Sequence, residues 1–245
     1  GFVVHKIDGE ELLANPRRTK ATATMGDMES FIAYVNHHAG DGTTVWCAFN
    51  PQSYALSFTA VVDEHQAGVA GWRSHQAKFT PLESAEWKTW TGHNTKPKAQ
   101  VEFAEFIEAN DSDIASIDGM PTSLQMMTMA TEFVSRQDML LKSTVRLQGG
   151  GVNLTYVADA DKGTLEQMKV FEKFSIGIPV FWSGPAFRID ARLKYRLGTA
   201  QAAGKVSFFY ELIRHDRVHE AAAKELISAV RTGIGAVPLL MGSCV

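Results

Sequence analysis

Phe187-Arg-Ile-Asp-Ala-Arg-Leu-Lys-Tyr-Arg-Leu197 alternates apolar and charged residues without a break. Successive side chains of a strand point to opposite faces. Phe187, Ile189, Ala191, Leu193, Tyr195 and Leu197 therefore share one side, and Arg188, Asp190, Arg192, Lys194 and Arg196 the other. The stretch predicts a strand with one face on a core and a cationic face in water. Four of its five outward residues are cations, spread over about 27 Å of strand at about 3.4 Å per residue.

Working outward, SIGIPVFW (175–182) and KVSFFYELIR (205–214) read as the neighbouring strands. A helix follows them, capped by Asp216, with Val218, Ala222, Leu226 and Val230 inward. An earlier part of the chain repeats this order. TTVWCAFN (43–50), YALSFTAVVD (54–63) and WRSHQAKF (72–79) precede another capped helix, roughly 130 residues upstream of the second set. The expected fold is α+β, antiparallel sheets with helices, in a pseudo-twofold β-β-β-α repeat. The expected segments are an N-terminal arm and helix (1–42), a first half with a helical insert (43–137), and a second sheet, helix and C-terminal arm (138–245), all in one compact domain.

The connections carry their own signals. Thr24 and Asp27 are candidate caps for a helix whose Met28, Phe31, Ile32, Val35 and His38 share a face, ended by Gly40-Asp-Gly42. Thr80-Pro81-Leu82-Glu83 reads as a capping box before a helix through Trp87 and Trp90 to Gly92. Pro97 opens a second helix, with Val101, Phe103, Ala104 and Ile107 inward and Glu102, Glu105 and Glu108 outward. EWKTWTGHNTKPK (86–98) is thereby read as a joint between helices. Met120-Pro121-Thr-Ser123 starts another helix, through Leu124, Met127, Ala130 and Val134, with methionines 126, 127 and 129 as core filler. LLKSTVRLQ and VNLTYVAD form a hairpin around Gly149-Gly-Gly151, TLEQMKVFEKF (164–174) a short helix, and VPLLMG an edge strand or docking arm.

With 245 residues the chain can bury a sizeable core, and its net charge of −3 gives no global pull toward nucleic acid or membrane. Any such binding must come from a local patch. Cys47 and Cys244 make no metal or redox spacing, which favours a reducing, cytosolic setting. No apolar run approaches the roughly 18 residues of a spanning helix, so no membrane partner is expected. The chain opens GFVVHKIDGEELL without an initiator Met, as a chain beginning inside a longer product would.

The candidate binding residues are Arg188, Arg192, Lys194 and Arg196, extended by Lys142 and Arg146 of the hairpin and by Arg17, Arg18 and Lys20 of a basic N-terminal segment. Such a stripe can follow a phosphate backbone and release counterions, with Phe209 or Trp182 stacking on single-stranded bases. The same pattern also suits a solvated sheet face balanced by Glu211 and its neighbours. His215 and His219 have a four-residue spacing usable by metal ligands but lack a third, and His37-His38 sits where a helix dipole favours a cation. There is no GxSxG, no cysteine with a histidine in a catalytic arrangement, and no phosphate loop or cofactor motif. Nothing here supports an enzyme.

LLANPRRTKATATMGDMESFIAYVN, TTVWCAFNPQSYALSFTAVVD, EWKTWTGH, FAEFIE, IPVFWSGP and VHEAAAKELI, in that order, resemble a YfdQ-like family of uncharacterised phage and prophage proteins from about Leu12 to Met241. The resemblance implies a phage or prophage product acting in the bacterial cytoplasm and assigns no functional residue. The expected function is a non-enzymatic homo-oligomer binding single-stranded nucleic acid in phage replication or recombination. The alternative is a self-assembling shell, ring or sponge.

Overall fold

The computed structural model describes residues 3, 9–135, 143–146, 152–155, 167–169, 171–197 and 206–244, with the backbone alone for 11, 131–135, 143–146, 152–155, 167–169 and 197. In chain order the first elements are β1 (Ala21–Met25), α1 (Met28–His38), β2 (Thr44–Phe49), β3 (Leu56–Val61), β4 (His65–Gln66), β5 (Val69–Ala70) and β6 (His75–Phe79). Next come α2 (Ala85–His93), β7 (Lys98–Ala99), α3 (Gln100–Ala109), α4 (Ser123–Ser135), β8 (Ser143–Arg146), β9 (Val152–Thr155) and β10 (Gln167–Lys169). The chain closes with β11 (Lys173–Pro179), β12 (Ala186–Leu197), β13 (Val206–Leu212), α5 (His215–Gly233) and β14 (Leu239–Met241). The class is α+β, as expected, and no helix among the described residues is long and apolar enough to cross a membrane.

Two compact units result, Gly1–Leu82 with Glu220–Val245, and Glu83–His219. The first holds the sheet β1-β6-β3-β2-β14. Its inner strands form an antiparallel meander, while β1 and β14 join the edges in parallel, so the sheet is mixed. Leu56, Phe58 and Ala60 of β3 are buried at every second position, the period a half-buried strand requires. Asp27 caps α1, its Oδ1 accepting the Ser30 amide at 2.7 Å; Thr24 belongs to β1 instead. The Phe31 ring of α1 then packs 6.0 Å from Phe58 and 5.9 Å from Phe79. Gly233 is where α5 meets α1, since a Cβ there would lie 2.6 Å from Ile32 Cδ1. VPLLMG is an edge strand: β14 pairs with β2 after the Val45 amide donates to Pro238 O at 2.9 Å.

The second unit contains the antiparallel sheet β11-β12-β13-β7 and the separate sheet β10-β9-β8. Trp90 is fully buried at the centre of an aromatic core, 6.0 Å from Phe174, 5.1 Å from Phe106 and 5.2 Å from Tyr210. Its polar edge is satisfied, Nε1 donating to Asp113 Oδ2 at 2.8 Å, and Tyr210 OH donates to the Trp90 carbonyl at 2.7 Å. Burial pushes the Tyr210 hydroxyl far above its ordinary range, so it stays a donor. The 86–98 joint is stitched to β13: the Asn94 side chain accepts the Leu212 amide at 3.0 Å, and the Thr95 amide donates to Tyr210 O at 2.8 Å.

Long-range pairing shifts several expected boundaries. Ser84 caps α2, its Oγ accepting the Trp87 amide at 2.9 Å, in place of the Thr80–Glu83 box. Ser84 Oγ also donates to Pro179 O, and Glu83 bridges to Phe181; both residues are held extended, and the helix starts only after them. Pro97 does not open a helix, because Lys98 and Ala99 pair with Phe208 and Ser207. The helix α3 therefore begins at Gln100, burying Phe103, Phe106 and Ile107 and leaving Val101 exposed. On α4 the buried side is Met126, Met129 and Ala130, with Leu124 exposed. The expected helix over 164–174 is replaced, where described, by β10 paired to β9 and by the start of β11. Asp216 lies in the first turn of α5 rather than at its cap; Ala222, Ala223, Ile227 and Val230 are its buried residues beyond His219.

With the β4–β5 hairpin inserted between β3 and β6 of the first set, the β-β-β-α order occurs twice, as β2-β3-β6-α2 and β11-β12-β13-α5. In the first, α2 belongs to the second unit, and α5 from Glu220 onward belongs to the first. The unit boundaries consequently cross the 43–137 and 138–245 segments read from the sequence.

Candidate nucleic-acid interface

The cationic strand is β12, central to its sheet between β11 and β13. Ile189, Ala191 and Leu193 are buried, while Arg188, Arg192, Lys194 and Arg196 are exposed, so the alternation holds along the strand. Antiparallel register brings Lys173 of β11 and Glu211 of β13 to either side of Arg192. Cross-strand partners share a face. The outward face therefore carries five cations, Lys173 and the four of β12, against the carboxylates of Asp190 and Glu211.

Those carboxylates are taken by two of the cations. Arg188 Nε donates to Asp190 Oδ1 at 2.8 Å and Lys194 Nζ to Glu211 Oε1 at 2.6 Å. The bonds from Arg188 and the Ser175 hydroxyl hold the Asp190 carboxyl below its usual range. Arg196 stacks its guanidinium 4.9 Å from the Phe209 ring centroid. Phe209 is accordingly only 7% exposed and is no open stacking platform; Trp182, in the β11–β12 turn, is 60% exposed and remains one. Arg192 has no ion pair among the described residues.

Arg17, Arg18 and Lys20 lie in the first unit, and β12 in the second. The Arg18 guanidinium lies 4.0 Å over the Trp72 ring, and Lys20 Nζ is 2.6 Å from Glu10 Oε2. Lys142 is outside the described residues, and Arg146 is described by its backbone in β8.

The sequence profile of a family described as an uncharacterized conserved protein (DUF2303) matches residues 4–244. The chain belongs to the DUF2303 family. No curated protein and no solved structure matches it. The family description names no ligand and no reaction, so what a DUF2303 chain does has to be argued from its surfaces.

His219 and His38 of the DUF2303 chain, two histidines weighed from the sequence, each sit among aromatic rings. His219 is buried, its ring 5.1 Å from Trp87 and 5.6 Å from Phe181, with Nε2 3.9 Å from Glu83 Oε1. Burial lowers its proton affinity more than Glu83 raises it. His38 sits with Tyr34 and His75, whose Nε2 is 2.9 Å from Tyr34 OH, and burial followed by the neighbouring histidines also lowers its affinity. Among the described residues no three His, Cys, Asp or Glu side chains converge to hold a metal. Cys47 is buried, its thiol pushed up to about 11, far from a thiolate at neutral pH.

One feature was not legible beforehand. The loop between β3 and β6 forms the β4–β5 hairpin and an open groove of about 310 Å³, whose walls include His38, Asp41, His65, Gln66 and Trp72. Trp72 falls in the stretch 72–79 read as a strand, and nothing in that pattern marks it as a wall of a groove.

Proposed function

We propose that the outward face of β12 binds polyanions, and that this chain is a non-enzymatic protein binding single-stranded nucleic acid. The observation that carries the reading is Arg192, exposed and without an ion pair among the described residues, midway along a cationic face on a chain of net charge −3. The two ion pairs beside it are solvent-exposed and worth at most about 1 kcal/mol each, so phosphates can displace them and release counterions. Resemblance to phage and prophage proteins supports a role in phage replication or recombination in the bacterial cytoplasm. Anisotropy titration with a labelled single-stranded oligonucleotide tests this. Binding should weaken as salt rises and again in Arg192→Ala and Lys194→Ala; binding indifferent to all three counts against the reading.

Self-assembly is the second reading, and β14 favours it. It is a sheet-edge strand carrying exposed Leu240 and Met241, and such edges pair readily with another chain. Light scattering on the eluting protein decides: a monodisperse 26.9 kDa monomer ends this reading.

A further inference from the structure

We propose that Trp72 and Arg18 form a stacking subsite for one nucleobase and its adjoining phosphate, taken from a single strand or from a free nucleotide. The inference borrows its ligand class from the function proposed above but uses none of the β12 residues.

Trp72 is 76% exposed, although an indole gains more from burial than most side chains. Its loop is too firmly held for the ring to collapse inward. The Asp63 carboxylate accepts the Ser74 amide at 3.0 Å, the Ser74 hydroxyl at 2.9 Å and the His75 amide at 2.9 Å. Glu64 accepts Trp46 Nε1 at 2.7 Å and the Arg73 guanidinium. His65 Nδ1 accepts the Gly71 amide at 3.0 Å, and a Cβ on Gly71 would lie 2.0 Å from the carbonyls of Asp63 and Glu64. The chain thus presents Trp72 at the surface by construction.

What surrounds the ring is chemically suited to a nucleotide. Trp72 and the exposed Val69 contribute apolar surface to the groove; Asp41, His65 and Gln66 contribute donors and acceptors for a base edge. At about 310 Å³ the groove is at the small end of ligand sites, enough for a single ring system. Arg18 covers part of the indole but is not a wall of the groove. Nη1 of Arg18 is enclosed and makes no hydrogen bond, so the protein leaves part of this guanidinium's donor capacity unused beside Trp72. Asp41 and Asp63 repel a phosphate from the groove, whereas the exposed Arg17 beside Arg18 attracts it. Base in the groove and phosphate at the arginines is the arrangement these charges select.

The test titrates labelled oligothymidylate against wild type, Trp72→Ala, Trp72→Phe, Arg18→Ala and Arg192→Ala at about 0.1 M salt and again at about 0.5 M, where phosphate contacts are largely screened. Circular dichroism confirms that each variant folds. Trp72→Ala should weaken binding about ten-fold at both salts, Arg18→Ala should weaken it at about 0.1 M, and Trp72→Phe should retain most of it. Competition by thymidine monophosphate that is lost in Trp72→Ala identifies a free-nucleotide site; no competition with the Trp72→Ala loss intact identifies a strand site. Trp72→Ala and Arg18→Ala binding like wild type overturns the subsite, and if Arg192→Ala is still impaired at low salt the β12 reading survives alone. Loss at Trp72 with none at Arg192 at about 0.1 M salt does the reverse. A wild type that binds neither probe overturns both.

Discussion

Glu64→Ala should be the most damaging single change in the loop that carries Trp72. The Glu64 side chain is 6% exposed and its carboxylate takes Trp46 Nε1 and the Arg73 guanidinium. Alanine removes the acceptor of both and leaves the Arg73 charge without this carboxylate. Breaking a buried charge pair costs about 3–5 kcal/mol. Arg73 is 34% exposed and water can solvate it in part, so the lower end, about 3 kcal/mol, applies. Arg73 also holds a φ of 54°, a left-handed conformation that persists only while its surroundings enforce it. For a chain of this size each kcal/mol is worth about 2–4 °C, so the melting temperature of the transition that includes the first unit should fall by roughly 6–12 °C. Glu64→Gln keeps an acceptor for Trp46 but not the charge, and should fall about half as far. Thermal unfolding by circular dichroism reads both, and limited proteolysis should cut sooner between residues 64 and 73. A Glu64→Ala shift of less than about 2 °C would refute the argument that this carboxylate anchors the loop.

Other consequences are smaller or differently read. Ser84→Ala should cost about 1–2 kcal/mol in urea unfolding, since one hydroxyl both caps α2 and donates to Pro179 O. Tyr210→Phe should cost about 1 kcal/mol by the same measurement, because only the bond to the Trp90 carbonyl is lost while the ring stays packed. Stability should fall on acidification below the ordinary histidine value of 6.5. There the unfolded chain takes up protons that the folded chain resists at His219, against Trp87, Phe181, Glu83 and His215, and at His38, beside Tyr34, His37 and His75. A His219→Leu variant that keeps the full wild-type pH slope in thermal melts would contradict its share.

The sequence was legible where one face is wet and the other dry. In β12 the charged and apolar residues alternate strictly, and the strand and both its faces follow. The face of α1 was equally clear because Phe31 and Val35 repeat at helical spacing against a polar far side. Reading failed where both faces are alike or where a distant partner decides. Methionines and leucine surround α4, so periodicity could not choose Met126 and Met129 over Leu124. β1 is Ala-Thr-Ala-Thr-Met, small residues without a loud pattern, and it exists because β6 offers it a parallel edge. Thr80–Glu83 satisfies the local rule for a cap, yet the end of β11 holds Glu83 and Ser84 extended and moves the helix start onward. The site shows the same division. The four cations of β12 could be named from alternation alone, and Glu211 as their counter-charge; Lys173, read as helical, and the stacking of Arg196 on Phe209 and of Arg18 on Trp72 could not, because only folding brings those residues together.

The salt dependence of single-strand binding tests the β12 face most directly. Each phosphate neutralised on a single strand contributes about 0.7 to the slope of log affinity against log salt. Removing two such contacts with Arg192→Ala and Lys194→Ala together should therefore flatten the slope by about 1.4. A double variant whose slope matches wild type, with the fold intact, would mean that phosphates do not meet this face.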